Sequence, residues 1–352
     1  MKALVLSGGE GSRLRPITHT NAKQLIPIAN TPILFHALQH IADAGIREVG
    51  IVVGHTAEEV KAAVADGSSW GLAVTYLPQE APLGLAHAVL TAEDYLGDEP
   101  FVMYLGDNVL LEGLRAFVEE FERHRPAAQI FLARVPEPER FGVAVLDGDH
   151  VTRLVEKPRE HISDLALVGV YLFDRSIVEA AKTLQPSWRG ELEITDAIQR
   201  LIDDGKPVRA SMVNGWWKDT GRPEDLLEAN RMMLQQLRTR VDGDVDTASR
   251  LTGIVVVERG AKVIRSEVRG PSIVGEGSVV EDSVIGPFAS VSYGCTVRGS
   301  RVEDSIVMEQ CSIEDVRGLA GSILGKEVEV RRAEGPGAHR LIVGDHGQVQ
   351  VT

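Results

Sequence analysis

Cysteine is almost missing from this chain of 352 residues, which has only Cys295 and Cys311. Two cysteines cannot frame a disulfide scaffold, so a reducing cytoplasm is the expected setting and each is expected to act as a small packing residue. Positive charge is also scarce. With 37 Lys and Arg against 51 Asp and Glu, a net charge of −14, the chain lacks the basic field that nucleic-acid or anionic-membrane binding requires. No apolar run reaches transmembrane length, and the run at 2–6 meets glycines too soon for a signal peptide. His36 and His40 stand one helical turn apart without a third ligand nearby in sequence, which argues against zinc.

What is present begins at the first residues. Lys2-Ala3-Leu4-Val5-Leu6 reads as a buried strand, and Ser7-Gly8-Gly9-Glu10-Gly11-Ser12-Arg13 follows as a turn whose missing side chains let backbone N–H groups close on an anion. Arg13 supplies a fork and Lys23 a point charge, a combination suited to a polyphosphate. Leu14 stands where the third glycine of a dinucleotide fingerprint belongs, and no G-x-x-x-x-G-K-[ST] occurs, so NAD and P-loop chemistry are both disfavoured.

Along 1–237, strand-like segments at 2–6, 49–53, 74–77, 101–105 and 130–135 alternate with helical patterns after Pro32, Thr56, Leu85, Leu111, Ser176, Thr195 and Pro223. Thr56 and Glu59 have capping-box spacing, and Pro223 suits a first helical turn. This grammar predicts a layered, mainly parallel α/β sheet with ligands at the carboxyl ends of its strands. Beyond Arg238 it stops. Branched apolar residues then recur every sixth position, at Ile273, Val279, Ile285, Val291 and Val297, with small residues such as Gly277, Ser283, Ala289 and Cys295 four positions after. That period predicts a parallel β-helix, with loops or coil irregularities where it breaks at 264–272 and 298–306. Two domains are expected, at 1–240 and 241–352.

Asp107 follows an apolar strand and so stands at the sheet's ligand edge, although a turn aspartate bonded to its own backbone would look the same. Asp219, in Trp217-Lys218-Asp219-Thr220-Gly221, is a second carboxylate before a turn. Two carboxylates plus phosphate oxygens would complete a Mg²⁺ site.

The string G-G-x-G-[ST]-R-L-x-P-x-T…K-Q resembles the signature of the sugar-1-phosphate nucleotidyltransferases, most closely the glucose-1-phosphate thymidylyltransferases. Leu105-Gly106-Asp107-Asn108 and Trp217–Asp219 resemble that family's two metal-binding motifs, and Glu156-Lys157-Pro158 its E-K-P motif. The resemblance implies a Rossmann-like nucleotidyltransferase domain followed by a left-handed hexapeptide β-helix. It implies transfer of a thymidylyl group from dTTP to glucose 1-phosphate, with Mg²⁺ held by Asp107 and Asp219 and with Arg13, Lys23, Lys157 and Asp107 in catalytic roles. The implied nucleotide contacts are Leu6, Gly8, Gly9, Gly11, Ser12, Arg13, Gln24, Gln79, Pro82 and Gly84; the sugar-phosphate contacts are Gly142, Glu156, Lys157, Val168, Gly169 and Tyr171. Gln79 offers the donor and acceptor that a pyrimidine imide edge demands. Leu83 departs from the short-form pattern, which has aspartate there, and leaves a uridylyl or other nucleotidyl transfer as the alternative. Arg189-Gly190-Glu191-Leu192-Glu193-Ile194-Thr195-Asp196 also matches a family stretch, in which the carboxylates would either orient cationic site residues or cap a helix. A hexapeptide acyltransferase is less favoured, because 250–316 contains no histidine, and so is a non-catalytic sensor, because Arg13, Asp107, Lys157 and Asp219 are all present. A homo-oligomer is expected, with no nucleic-acid or membrane partner.

Overall fold

The computed structural model describes residues 1–148, 150–213 and 215–332. They form two compact units, one of Met1–Glu10, Asn21–Leu25 and Ile33–Asp219, the other of Gly11–Thr20, Ile26–Pro32 and the described residues from Thr220 on. Of the expected second domain, 333–352 lie outside the described residues.

The first unit is built on a nine-stranded sheet: β1 (Lys2–Ser7), β2 (Glu48–Val53), β3 (Ala73–Pro78), β4 (Phe101–Leu105), β5 (Ala128–Arg134), β6 (Gly142–Asp147), β7 (His150–Glu156), β8 (Leu165–Phe173) and β9 (Val208–Met212). Their order is β3-β2-β1-β4-β8-β5-β9-β7-β6, with β3-β2-β1-β4 and β5-β9 parallel and β8 and β7 running against their neighbours. Strands of a covered parallel sheet are apolar on both faces, and β1 divides accordingly. Leu4 and Leu6 pack with α3 (Leu85–Thr91), α5 (Ser176–Lys182) and α6 (Ile194–Asp203), whereas Ala3 and Val5 pack with α1 (Ile33–Asp43), α2 (Ala57–Val64) and α4 (Arg115–His124). The layered α/β architecture expected from the alternation of strands and helices is therefore present.

The capping box at α2 does not form. The Thr56 side chain makes no cap hydrogen bond, and the Glu59 carboxylate instead accepts from the backbone N–H of Ala22 at 2.6 Å. A tertiary acceptor role has displaced the local one, tying the segment that carries Lys23 to α2.

In the second unit, α7 (Pro223–Gln235) has Pro223 in its first turn, as expected. Three ladders of short parallel strands follow, stacked as the coils of a left-handed β-helix. The inward stacks are Val257-Val274-Val291-Val307, Val263-Val280-Val297-Ile313 and Val268-Ile285-Val302. Ile285, Val291 and Val297 thus point inward as expected, but Ile273 and Val279 yield to their neighbours Val274 and Val280. Ile273 packs instead with Ala29, Leu234 and Val256.

The reason lies at one corner of each coil. Between the second and third faces the step from one inward position to the next is five instead of six, as from Val263 to Val268 and from Val280 to Ile285. The coil is one residue short of three hexapeptides there, which interrupts the six-residue count at 264–272; at 298–306 the step from Val302 to Val307 is five as well, so that coil is two residues short. Those stretches are coils rather than loops, with strands Glu267–Arg269 and Arg301–Glu303. Serines satisfy the short corner. The N–H of Ser266, Ser283 and Ser300 each donates to the serine hydroxyl one coil earlier, Ser249, Ser266 and Ser283, at 3.0 Å. Cys295 and Cys311 are both buried with free thiols at another corner, where Sγ donates to the carbonyls of Met308 and Gly325.

Among the described residues no helix is long and apolar enough to cross a membrane.

Candidate active site

In the first unit, the chain reverses its winding about β1, which has β2 on one side and β4 on the other, and a ligand crevice is expected at the carboxyl ends there. A cleft of about 260 Å³ lies at that place, lined by Leu6 in β1, Gly8 and Gly9 after it, Gln24, Gln79 after β3, Pro82, Gly84 and Leu85, and Asp107 after β4. Seven nucleotide contacts implied by the sequence resemblance meet in it: Leu6, Gly8, Gly9, Gln24, Gln79, Pro82 and Gly84. Gly84 has φ +108°, and a Cβ on it would stand 2.4 Å from the Leu192 oxygen. Only glycine permits this approach, by which Leu192 straps the candidate base loop: its N–H donates to Leu83 and its carbonyl accepts from Ala86. Gln79 is held from behind, with Nε2 2.8 Å from Nδ1 of His87 on α3.

The two candidate metal carboxylates are brought together by a two-stranded ladder, in which Trp217–Asp219 pairs antiparallel with Asn108–Leu110 and sets Asp219 opposite Asn108. Lys23 bridges them: its ammonium pairs with Asp107 Oδ2 and lies 3.8 Å from Asp219 Oδ1. Burial pushes the Asp107 carboxyl up, but the Lys23 charge and hydrogen bonds from Lys23 and Asn108 outweigh it, leaving the group below the ordinary carboxylate range. Two carboxylates facing one ammonium are two hard oxygen donors already arranged about a cation. Among the described residues no cluster of three or more His, Cys, Asp or Glu forms a ligand set. Such a donor pair fits Mg²⁺, which binds through one or two carboxylates and completes its shell with water and phosphate oxygens.

Asn108 is a residue that sequence reading did not single out. Its Oδ1 accepts from Trp217 Nε1 at 2.6 Å and from the Gly169 N–H at 3.2 Å, while its Nδ2 donates to Asp107 Oδ1 at 2.9 Å. One amide thus joins both metal motifs to the candidate sugar segment. A Cβ on Gly169 would stand 2.5 Å from the Asn108 side chain. β8 also slips register against β5 between Leu167 and Tyr171, a bulge that covers Val168 and Gly169. Bulges of this kind re-aim a strand at a site.

The hairpin of β6 and β7 places Glu156 opposite Gly142, and the Lys157 N–H donates to the Phe141 carbonyl. Around Glu156 gather Thr195 Oγ1, donating at 3.3 Å, Arg189 Nη1 at 3.5 Å and Lys157 Nζ at 3.7 Å. Burial first, then the nearby Glu193 charge, raises the Glu156 carboxyl above its usual value despite these cations. A carboxylate so placed is a strong acceptor for hydroxyl hydrogens. Tyr171 is buried with its ring stacked on Phe173, and burial and the charges of Glu156 and Asp107 push its phenol up. Val168 is fully buried, so its backbone is what it can present.

Arg189 resolves the two readings of its stretch. It pairs with Glu191, which lines the same cleft, with Glu193 and with Glu156. Glu193 occupies the N-cap of α6 without a side-chain cap bond, its carboxylate taken by Ser187 and Arg189. The carboxylates orient a cation. Gly11, Ser12 and Arg13 belong to the second unit, where Gly11 takes φ 62° ahead of the 3₁₀ turn Ser12–Leu14 and its carbonyl accepts from Thr18 Oγ1.

Residues 2–236 match the nucleotidyl transferase family. Over the full length of both chains, this protein is 54% identical to a glucose-1-phosphate thymidylyltransferase of Streptomyces griseus. It is 52% identical to one of Streptomyces antibioticus, over all of this chain and 99% of that protein. A crystal structure from Bacillus anthracis, of a candidate glucose-1-phosphate thymidylyltransferase in complex with sucrose, superposes with a TM-score of 0.63 and 36% identity, covering 66% of this chain and 94% of that one.

Proposed function

Because the chain belongs to the nucleotidyl transferase family, we propose that it is a glucose-1-phosphate thymidylyltransferase, converting dTTP and glucose 1-phosphate into dTDP-glucose and pyrophosphate. The observation that carries this reading is the pairing of Asp107 and Asp219 about one cation beside a cleft ending in the Gln79 amide. A phosphate oxygen of the sugar attacks the α-phosphorus in line; the new P–O bond forms as the bond to pyrophosphate breaks, and the nucleophile is already anionic. No general base is needed, so catalysis is positioning and charge stabilisation.

In this reading Gln79 pairs with the pyrimidine edge, the Gly8–Gly9 backbone and Arg13 hold the leaving pyrophosphate, and Lys23 neutralises charge at the reacting phosphates. Lys157 delivers the sugar phosphate, while Glu156, its orientation set by Arg189 and Thr195, accepts sugar hydroxyls. Mg²⁺, held by Asp107 and Asp219, would supply charge neutralisation at the phosphate oxygens. Segment 1–240 is assigned to catalysis and 241–352 to the β-helix, which serves in assembly of a homo-oligomer. The cytoplasm is the assigned compartment.

The test is pyrophosphate release against a matrix of nucleoside triphosphates and sugar 1-phosphates, with dTTP and glucose 1-phosphate expected to give the highest kcat/KM. Burying the thymine methyl contributes only about 1 kcal/mol, roughly fivefold, so dTTP over UTP should be modest and purines far worse. Higher efficiency with UTP or ATP would move the substrate assignment to the uridylyl or adenylyl alternative and keep the reaction class. Lys157→Ala should raise KM for glucose 1-phosphate about tenfold or more, the loss of one charge-assisted contact, and leave nucleotide affinity near wild type. The opposite pattern reverses the assignment of Lys157.

A further inference from the structure

We propose that His87 is a positioning residue for base selection: by fixing which way the Gln79 amide faces, it makes the cleft take the imide edge of thymine or uracil and refuse cytosine. The proposal rests on Gln79 as the base-reading residue. A primary amide turned end for end exchanges its donor and acceptor. In one orientation Gln79 matches an imide edge, accepting from N3–H and donating to O4; in the other it matches cytosine, donating to N3 and accepting from the exocyclic amine. Glutamine alone therefore cannot tell the two pyrimidines apart.

The structure adds a second contact that can. Gln79 Nε2 stands 2.8 Å from Nδ1 of His87, and Oε1 is turned to Gly8, where a Cβ would sit 3.2 Å from it. The proposal places the imidazole proton of His87 on Nε2, which makes Nδ1 an acceptor that only the amide nitrogen of Gln79 can face. Reversing the amide would set two acceptors against each other in a half-buried place, and an unmade hydrogen bond there costs roughly tenfold in binding. His87 cannot drift to follow. Its helix α3 is anchored by buried Ala86, Ala88 and Val89 and by the Ala86 N–H donating to Leu192 at 3.0 Å. His87 itself is not among the residues lining the cleft, so its effect passes through Gln79.

The experiment measures kcat/KM for dTTP and dCTP in wild type, His87→Ala, His87→Asp and Gln79→Ala. His87→Ala is expected to lower dTTP efficiency about tenfold while leaving dCTP unchanged or improved, so that the dTTP:dCTP ratio collapses. His87→Asp, whose carboxylate can accept but not donate, should restore most of the ratio. Gln79→Ala should collapse it too, and His87→Ala added to Gln79→Ala should change nothing further. If His87→Ala lowers both nucleotides equally, or Asp fails to rescue the ratio, the positioning role is wrong while base reading by Gln79 stands. A wild-type ratio in Gln79→Ala overturns the base-reading assignment itself. Should the alanine variant not fold, His87→Leu keeps the volume on α3, removes the acceptor and carries the same comparison.

Discussion

Asp107→Asn is expected to lower Mg²⁺-dependent turnover by about 10²–10³-fold, the scale of losing one preorganised electrostatic contact to the transition state. The substitution removes a charge with almost no change of volume, so the cleft keeps its shape while the cation position loses one of two carboxylates. It also leaves the Lys23 ammonium, nearly buried, with Asp219 at 3.8 Å as the remaining one of the two candidate metal carboxylates. Breaking a buried ion pair from one side is destabilising, here by about 1–3 kcal/mol because Asp107 keeps some exposure. The folded variant should therefore melt earlier, yet its turnover should recover in part as Mg²⁺ is raised, a response that lost stability alone would not produce. Asp219→Asn should show the same Mg²⁺ dependence. Turnover near wild type at limiting Mg²⁺ in either variant would remove the metal assignment.

Ile285→Lys should unravel the coils of the β-helix. Ile285 is fully buried between Val268 and Val302 in one inward stack, and an ammonium there has only aliphatic neighbours from that stack. An unpaired buried charge costs at least about 4 kcal/mol after relaxation, against a domain stability of about 5–15 kcal/mol. Because each coil is supported only by the coils above and below, the loss should spread to them. Far-UV circular dichroism should show an early transition, and limited proteolysis should cut first within 268–302. Tyr293→Lys, at a residue 51% exposed, is the control and should melt within about 0.5 kcal/mol of wild type. Equal melting of the two variants would refute the inward stacking of Ile285.

Much of the architecture could be read before any coordinates. Strands at 2–6, 49–53, 74–77 and 101–105 lie within or on the observed β1, β2, β3 and β4, because the alternation of apolar runs with amphipathic stretches is a local property of chain geometry. The β-helix was legible for the same reason, since stacked coils repeat their inward residue at a near-constant interval. Its one systematic error was also local in origin. Adjacent aliphatic residues such as Ile273 and Val274 are equivalent to a count of six, and only the shortened serine corner decides which of them turns inward.

Local sequence pattern was enough for the secondary-structure grammar, the two kinds of architecture and the chemical types available at the site: glycines for close backbone approach, two carboxylates for a hard cation, lysines and an arginine for phosphates. Tertiary structure decided which of these meet. Asn108 and Trp217 are 109 residues apart in the chain, and it is strand pairing that sets Asp219 beside Asp107 and makes one amide hold both motifs and Gly169. Glu59 is spaced for a helix cap but spends its carboxylate on Ala22, and Glu193 stands at an N-cap but faces Arg189. His87 has no spacing signal at all, being one residue of an amphipathic helix until the fold sets it behind Gln79. Period and propensity come from geometry within a few residues, so sequence carries them; the partner of a polar side chain is whichever group long-range packing leaves within reach as water is excluded, and that is known only when the chain has folded.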